Sequence, residues 1–201
     1  MRLVKMLGLA MVAAVAAMAF VGAGTASANE TKLTWCTNNN ALCQGKDVLK
    51  LITAKATNPV LLGNLNQECE TSTTMTTEES ATTTTISGVV DELTFETCKP
   101  CTTITTTPPY KSSITGSTMT SSGSATFKNC PFGINCKFGS AKIELTLGKN
   151  ATGLYDRIIA EKEPLSLEEG SAFFCGSTGE WDATYTLETP LYLVPKRHAN
   201  P

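Results

Sequence analysis

The sequence predicts an all-β, disulfide-stabilised fold, either an antiparallel β-sandwich or a related barrel, of about ten short strands. Three observations predict it. Apolar and polar residues alternate along several short segments, which is the period of a strand with one buried face. Clusters of glycine, proline and asparagine separate these segments. The chain also contains eight cysteines, enough to link such strands covalently.

The first 28 residues have the features of a secretory signal peptide. Arg2 and Lys5 precede an apolar run over 6–22, and Ala26-Ser27-Ala28 provides the small residues of a cleavage site. The apolar run is shorter than the roughly 20 residues that a membrane-spanning helix needs. We therefore expect segment 1–28 to direct export and to be removed.

The remaining residues, 29–201, are expected to form a single secreted domain. It would comprise an N-terminal segment (29–66), a main sandwich (67–195) and a tail (196–201). Segment 1–28 holds two of the 16 basic residues and none of the 18 acidic ones, which leaves 14 basic and 18 acidic residues. This weakly acidic balance, without a basic stripe or a C-terminal apolar anchor, predicts no nucleic-acid partner, no membrane anchor and an extracellular location.

Strands are predicted in order along the chain. Alternation is clearest in 142–147 and 181–188, and it places Trp181 and Tyr185 on one buried face. Weaker alternation predicts further strands at 32–36, 48–54, 90–98, 102–106, 111–115, 124–128, 172–175 and 191–194. The one helix candidate, 154–163, is interpreted as strand or irregular structure.

The threonine-rich middle, 70–126, has two interpretations. Threonine is β-branched and favours extended backbone, whereas Ser/Thr runs of low complexity are also typical of disordered stalks. Apolar residues such as Ile86, Leu93 and Phe127 recur through or just after this region, which favours strands. The tyrosines Tyr110, Tyr155 and Tyr192 are expected nearer the surface, where they would cover sheet edges or form a ligand platform.

An even number of cysteines in an exported chain predicts disulfides. Eight thiols allow about 105 pairings. The strand layout favours one of them, in which antiparallel neighbours bring cysteines to the same edge: Cys36–Cys43, Cys69–Cys98, Cys101–Cys130 and Cys136–Cys175.

Two other uses of the cysteines are weighed against this pairing. The sequence Cys98-Lys99-Pro100-Cys101 also occurs in redox proteins, but their reactive thiol lies at a helix N-terminus, and threonine-rich strands surround this one. Four cysteines have the ligand number of a zinc site, and one pair among them has suitable spacing: Cys98, Cys101, Cys130 and Cys136. Secretion favours disulfides over both alternatives.

The sequence assigns no catalytic, cofactor or metal residue, and we expect the protein not to be an enzyme. The single histidine, His198, lies in a basic, proline-flanked tail, which disfavours a Ser-His-Asp or Cys-His mechanism. Paired carboxylates for glycoside hydrolysis are possible, although solvated surface carboxylates are the ordinary case. The candidates are Asp91, Glu92, Glu144, Asp156, Glu161, Glu168, Glu169, Glu180 and Asp182.

Several segments together resemble a large group of secreted bacterial proteins with spaced cysteines and small-residue strands. The matching segments are 68–72, 88–98, 101–105, 135–138, 174–175, 181–186 and 190–193. This resemblance implies a secreted all-β fold in a bacterium and no particular activity. Pro108-Pro109-Tyr110 stands where such chains often have a Pro-Trp pair.

The leading functional expectation is a non-catalytic extracellular or cell-envelope module with a binding or structural role. Its partner would be a cell-wall glycan, another extracellular glycan or a protein. The alternatives are a secreted hydrolase with two carboxylates and an inhibitor of an extracellular enzyme. Such an inhibitor would present a rigid loop between Cys130 and Cys136.

Overall fold

A computed structural model describes residues 32–37, 50–78 and 84–196. The predicted signal peptide, Cys43 and His198 lie outside these ranges. Within them the chain forms ten strands and one short helix: β1 (Lys32–Cys36), β2 (Leu51–Leu62), β3 (Gln67–Thr77), β4 (Thr85–Lys99), β5 (Thr103–Thr106), β6 (Tyr110–Thr115), β7 (Thr118–Lys128), β8 (Cys136–Lys149), β9 (Tyr155–Glu169), α1 (Ala172–Cys175) and β10 (Thr178–Lys196).

Eight of these strands form a closed antiparallel barrel in the order β2-β3-β4-β6-β7-β8-β9-β10. Closure depends on β10, which pairs with β9 on one side and with β2 on the other. A sandwich would leave two such neighbours as open edges, and closure removes them. The expected sandwich is therefore wrong, and the barrel alternative describes the all-β fold.

The strands β5 and β6 share one position in the barrel wall. Both pair with β7, where Thr106 lies opposite Ala125 and Ser112 lies opposite Ser121. Between them, Pro108 and Pro109 lack the backbone N–H that a ladder requires. On the edge of β7 that faces β5 and β6, residues 122–124 therefore pair with no residue of either strand.

Buried side chains form two large groups along the barrel, and a small third group joins Cys36 of β1 to Val194 of β10. One large group contains Ile86, Ile114 and Leu191, and the other contains Phe127 and Phe138 together with disulfide cysteines. The strands β7, β8 and β9 each contribute to both groups. The inward residues near one end of each strand belong to the first group, and those near the other end belong to the second. Burial of apolar side chains is the main stabilising term in such an interior.

The secondary structure contradicts the sequence prediction at one place and confirms it at two others. The segment Ala172–Cys175, expected as a strand, is one turn of helix, because Gly170 and Gly176 at φ of 122° and 84° turn the chain on either side of it. Segment 154–163 lies almost wholly within strand β9. The threonine-rich middle forms strands β3 to β7 where it is described, so the stalk alternative is wrong for those residues.

Three disulfides are present among the described residues: Cys69–Cys98, Cys101–Cys130 and Cys136–Cys175. They are three of the four pairs favoured by the strand layout. Cys36 is also disulfide-bonded, and its expected partner Cys43 lies outside the described residues. Cys98 and Cys101 belong to different disulfides, so neither the redox pair nor the zinc site exists in this structure.

Candidate functional site

A cavity of about 80 Å³ lies inside the barrel, where the two large buried groups meet. Every strand of the closed barrel except β2 contributes to its wall. The volume is several times the 10–15 Å³ that one water molecule needs, so the space is larger than a single water site. Most of the wall is aliphatic: Val90, Leu93, Ile143, Leu145, Ile158 and Leu165.

The wall is thinnest along β7. Residues 120–124 are all half-exposed, and the wall residues among them are three serines and a glycine. At Gly123 an added Cβ would lie 3.3 Å from Ile143 Cδ1, so this stretch passes close to the apolar interior. Because 122–124 also lack a partner where β5 and β6 separate, the cavity approaches the surface at this point.

Tyr110 closes part of this gap. Its hydroxyl donates a 2.8 Å hydrogen bond to the Ser124 carbonyl and accepts a 2.9 Å hydrogen bond from the Thr107 N–H. The gap between β5 and β6 leaves these two backbone groups without a partner in the sheet. Buried backbone groups need hydrogen-bond partners, and Tyr110 supplies them. Tyr110 is only 8% exposed, and Tyr155 is equally buried, so the expectation that both lie near the surface is wrong.

Tyr185 lines the cavity, and its hydroxyl has spare hydrogen-bonding capacity. Its oxygen accepts a 3.2 Å hydrogen bond from Thr71 Oγ1, and the structure gives its own phenol hydrogen no acceptor among the described residues. Burial raises the pKa of Tyr185 above its usual value, and the Thr71 hydrogen bond opposes this only in part. The group is therefore a neutral donor across the physiological pH range.

Trp181 lies on the same face of β10, as the alternation predicted. Its ring packs edge-on against Phe95 at a centroid distance of 5.6 Å. Its Nε1 is buried and has no hydrogen-bond partner within the described ranges. A buried indole N–H without an acceptor is uncommon, and this one is enclosed by neighbouring atoms and does not open into the cavity.

No charged side chain lines the cavity among the described residues. The carboxylates considered for hydrolysis lie elsewhere: Asp91 accepts from Thr76, Asp156 pairs with Arg157, and Glu168 pairs with Lys137. In the same ranges no group of three histidine, cysteine or acidic residues could hold a metal ion. The cavity is therefore a neutral, mainly apolar site with a few hydroxyl groups.

The loops that carry the disulfides expose two aromatic side chains. Phe132 is 94% exposed in the turn Pro131–Gly133, and Phe173 on α1 is 83% exposed. Phe132 also has a φ of 64°, a left-handed conformation that costs a non-glycine residue about 1–2 kcal/mol. The disulfides at Cys130 and Cys136 hold both ends of this loop.

Sequence reasoning placed Trp181 and Tyr185 on the buried face but did not detect the cavity. The signal in the sequence is the run of small residues over 121–124. Within a strand bounded by Met119 and Phe127, such a run indicates a wall with too little side-chain volume to fill the interior.

Comparison of the chain with protein-family models, curated proteins and solved structures gives no match. No helix in the described ranges is long and apolar enough to cross a membrane. The resemblance to secreted bacterial proteins remains a prediction. Functional inference therefore starts from the barrel and its cavity.

Proposed function

We propose that the protein is a secreted, non-catalytic binding protein that holds a small apolar ligand inside its barrel. The observation that carries this proposal is the apolar cavity with its thin, small-residue wall at 121–124. Barrels of eight strands have an interior that is either filled by side chains or able to hold one small ligand. An apolar pocket with a few polar groups is the usual form of a small-molecule site.

Secretion is supported by the covalent chemistry. Three disulfides are present among the described residues, and disulfides persist mainly in oxidising compartments outside the cytosol. The signal-peptide features of 1–28 agree with export. We propose an extracellular location on this basis.

The non-catalytic role is supported by the chemistry of the wall. Its polar groups are hydroxyls and one indole, and the carboxylates of the described residues lie outside it. Hydrolysis of a glycoside needs two carboxyl groups that flank the reacting bond. A wall of this kind favours retention of a ligand over its conversion.

A cavity-filling substitution tests the proposal. Ala125 is 3% exposed and lines the cavity, whereas its neighbour Thr126 is half-buried on the outer face of β7. We expect calorimetry to show saturable binding of small neutral ring compounds to the wild-type protein and to Thr126→Leu. Ala125→Leu should abolish this binding while the variant keeps its cooperative thermal unfolding.

Two results would contradict the proposal. One is the absence of saturable binding by the wild-type protein. The other is equal binding by folded Ala125→Leu and by the wild type. Turnover of a bound cell-wall glycan would instead support the hydrolase alternative.

A second candidate function rests on the exposed loop. We propose as this alternative that Phe132 inserts into an apolar pocket of an extracellular enzyme and inhibits it. A strained residue that is held by its surroundings is a reason to suspect a functional role, and exposed aromatic residues are frequent anchors of interfaces.

Inhibition assays against secreted proteases with apolar specificity pockets test this alternative. We expect dose-dependent inhibition that Phe132→Ala removes and that the control Phe173→Ala retains. Absence of inhibition across such proteases, or equal inhibition by Phe132→Ala, would rule against the loop.

A further inference from the structure

On the basis of the proposed function, we infer that the cavity selects a neutral, compact apolar molecule with one hydrogen-bond acceptor oxygen, which binds the hydroxyl of Tyr185. Ketones, ethers and esters belong to this chemical class. Carboxylates and ammonium compounds do not.

The preference for an acceptor follows from the hydrogen bonds already made in the wall. The Tyr110 hydroxyl both donates and accepts, and the single hydrogen of the Ser121 hydroxyl is directed to the carbonyls of Ser122 and Lys111. The Tyr185 oxygen accepts from Thr71, which leaves the phenol hydrogen without an acceptor in the described part of the chain. Of the two tyrosine hydroxyls in the wall, that of Tyr185 is therefore the one that keeps a hydrogen to donate.

The unused phenol hydrogen has an energetic consequence because Tyr185 is buried, with 5% of its surface exposed. Buried donors that lack acceptors cost free energy. A ligand that brings an acceptor oxygen removes such a cost, whereas a purely aliphatic ligand leaves it in place.

Charge on the ligand is disfavoured by the absence of any counter-charge in the described wall. Moving an ionised group from water into an apolar interior without a partner is strongly unfavourable. The burial that raises the pKa of Tyr185 acts in the same direction, because it keeps this phenol neutral and protonated. Neutral ligands are thus preferred over anions and cations.

The size of the ligand follows from the cavity. A volume of about 80 Å³ favours a small, compact molecule over a long chain. The aliphatic side chains of Val90, Ile143 and Ile158 would surround its carbon atoms. The oxygen would then be placed toward β10.

A pair of probes that differ in one atom tests the inference. Cyclohexanone and methylenecyclohexane have the same shape, but only the ketone accepts a hydrogen bond. Calorimetric affinities of both would be measured for the wild type, for Tyr185→Phe and for the control Tyr192→Phe. We expect Tyr185→Phe to weaken cyclohexanone binding about two- to tenfold, the range for one neutral hydrogen bond, and to change methylenecyclohexane binding by much less.

The other outcomes separate this inference from the proposed function. If both probes saturate the wild type but Tyr185→Phe affects them equally, the acceptor preference is overturned and cavity binding stands. If cyclohexanecarboxylate binds as tightly as the ketone, neutrality is overturned. If neither ring saturates the wild type, the proposed function fails together with the inference.

Discussion

The hydroxyl of Thr71 on β3 reaches the hydroxyl of Tyr185 on β10 across the intervening strand β2, with 3.2 Å between the two oxygens. Ala56 of β2 lies opposite Thr71, and the pairing of Lys55 with Thr186 places Ala56 in the same row as Tyr185. Ala56 is buried, and its methyl group is short enough to let the two side chains meet above it. The donor in the cavity wall is thus positioned by three strands.

A larger residue at Ala56 should separate these two hydroxyls. We expect Ala56→Val to lower the free energy of unfolding by about 1–3 kcal/mol, the usual cost of overpacking a core, as measured by urea denaturation. Thr53→Val, on the half-exposed outer face of the same strand, should change it by less than about 0.5 kcal/mol. Equal stability of the two variants would contradict the packing described here.

Tyr185 should ionise only at unusually high pH. Its pKa is raised in the folded protein by burial, whereas a tyrosine in the unfolded chain ionises near about 10. The associated stability is therefore complete below that pH and declines as the pH rises further, because ionisation favours the unfolded chain. Absorbance of tyrosinate should show a late-ionising component that is coupled to unfolding in the wild type and missing in Tyr185→Phe. A titration unchanged by this substitution would show that Tyr185 is not the buried phenol.

Tyr110 should stabilise the barrel wall at the unpaired stretch between β5 and β6. We expect Tyr110→Phe to cost about 1–2 kcal/mol, because it leaves the Thr107 N–H and the Ser124 carbonyl without their partner. Hydrogen exchange at the Thr107 amide should accelerate in the same variant. Tyr192→Phe provides a matched control on a half-buried tyrosine outside the cavity wall. Unchanged exchange at Thr107 would argue against the role assigned to Tyr110.

The remaining disulfide can be identified directly. Cys36 is disulfide-bonded, and the sequence predicts Cys43 as its partner. Peptide mapping of secreted protein under non-reducing conditions should recover a linked peptide containing both residues, together with the three pairs already described. A free thiol, or a different partner for Cys36, would disprove this prediction.

Local patterns predicted the local structure well. Alternation in 142–147 and 181–188 is reproduced by the burial of β8 and β10, where Leu147, Tyr185 and Leu187 are inside. Whether a segment forms a strand depends mainly on the periodicity of its own residues, and a single sequence shows that periodicity. The expectation for 172–175 failed because four residues between two turns carry too little periodicity to distinguish a strand from one turn of helix.

Long-range features could not be predicted in the same way. Barrel closure depends on the pairing of β10 with β2, whose register joins residues far apart in sequence, such as Glu180 and Leu62. The burial of Tyr110 follows from backbone groups that Pro108 and Pro109 leave unpaired. The cavity itself arises from the combined volume of side chains on seven strands, and no single segment contains that information.

The central claim, that the barrel binds a small neutral ligand in its cavity, is tested most directly by titrating isotope-labelled protein with cyclohexanone and following amide resonances. The account predicts saturable shifts that cluster at the cavity wall, including Ala125, Ile143 and Tyr185, and that disappear in Ala125→Leu. Shifts that fail to saturate, or that persist unchanged in the folded Ala125→Leu variant, would contradict it.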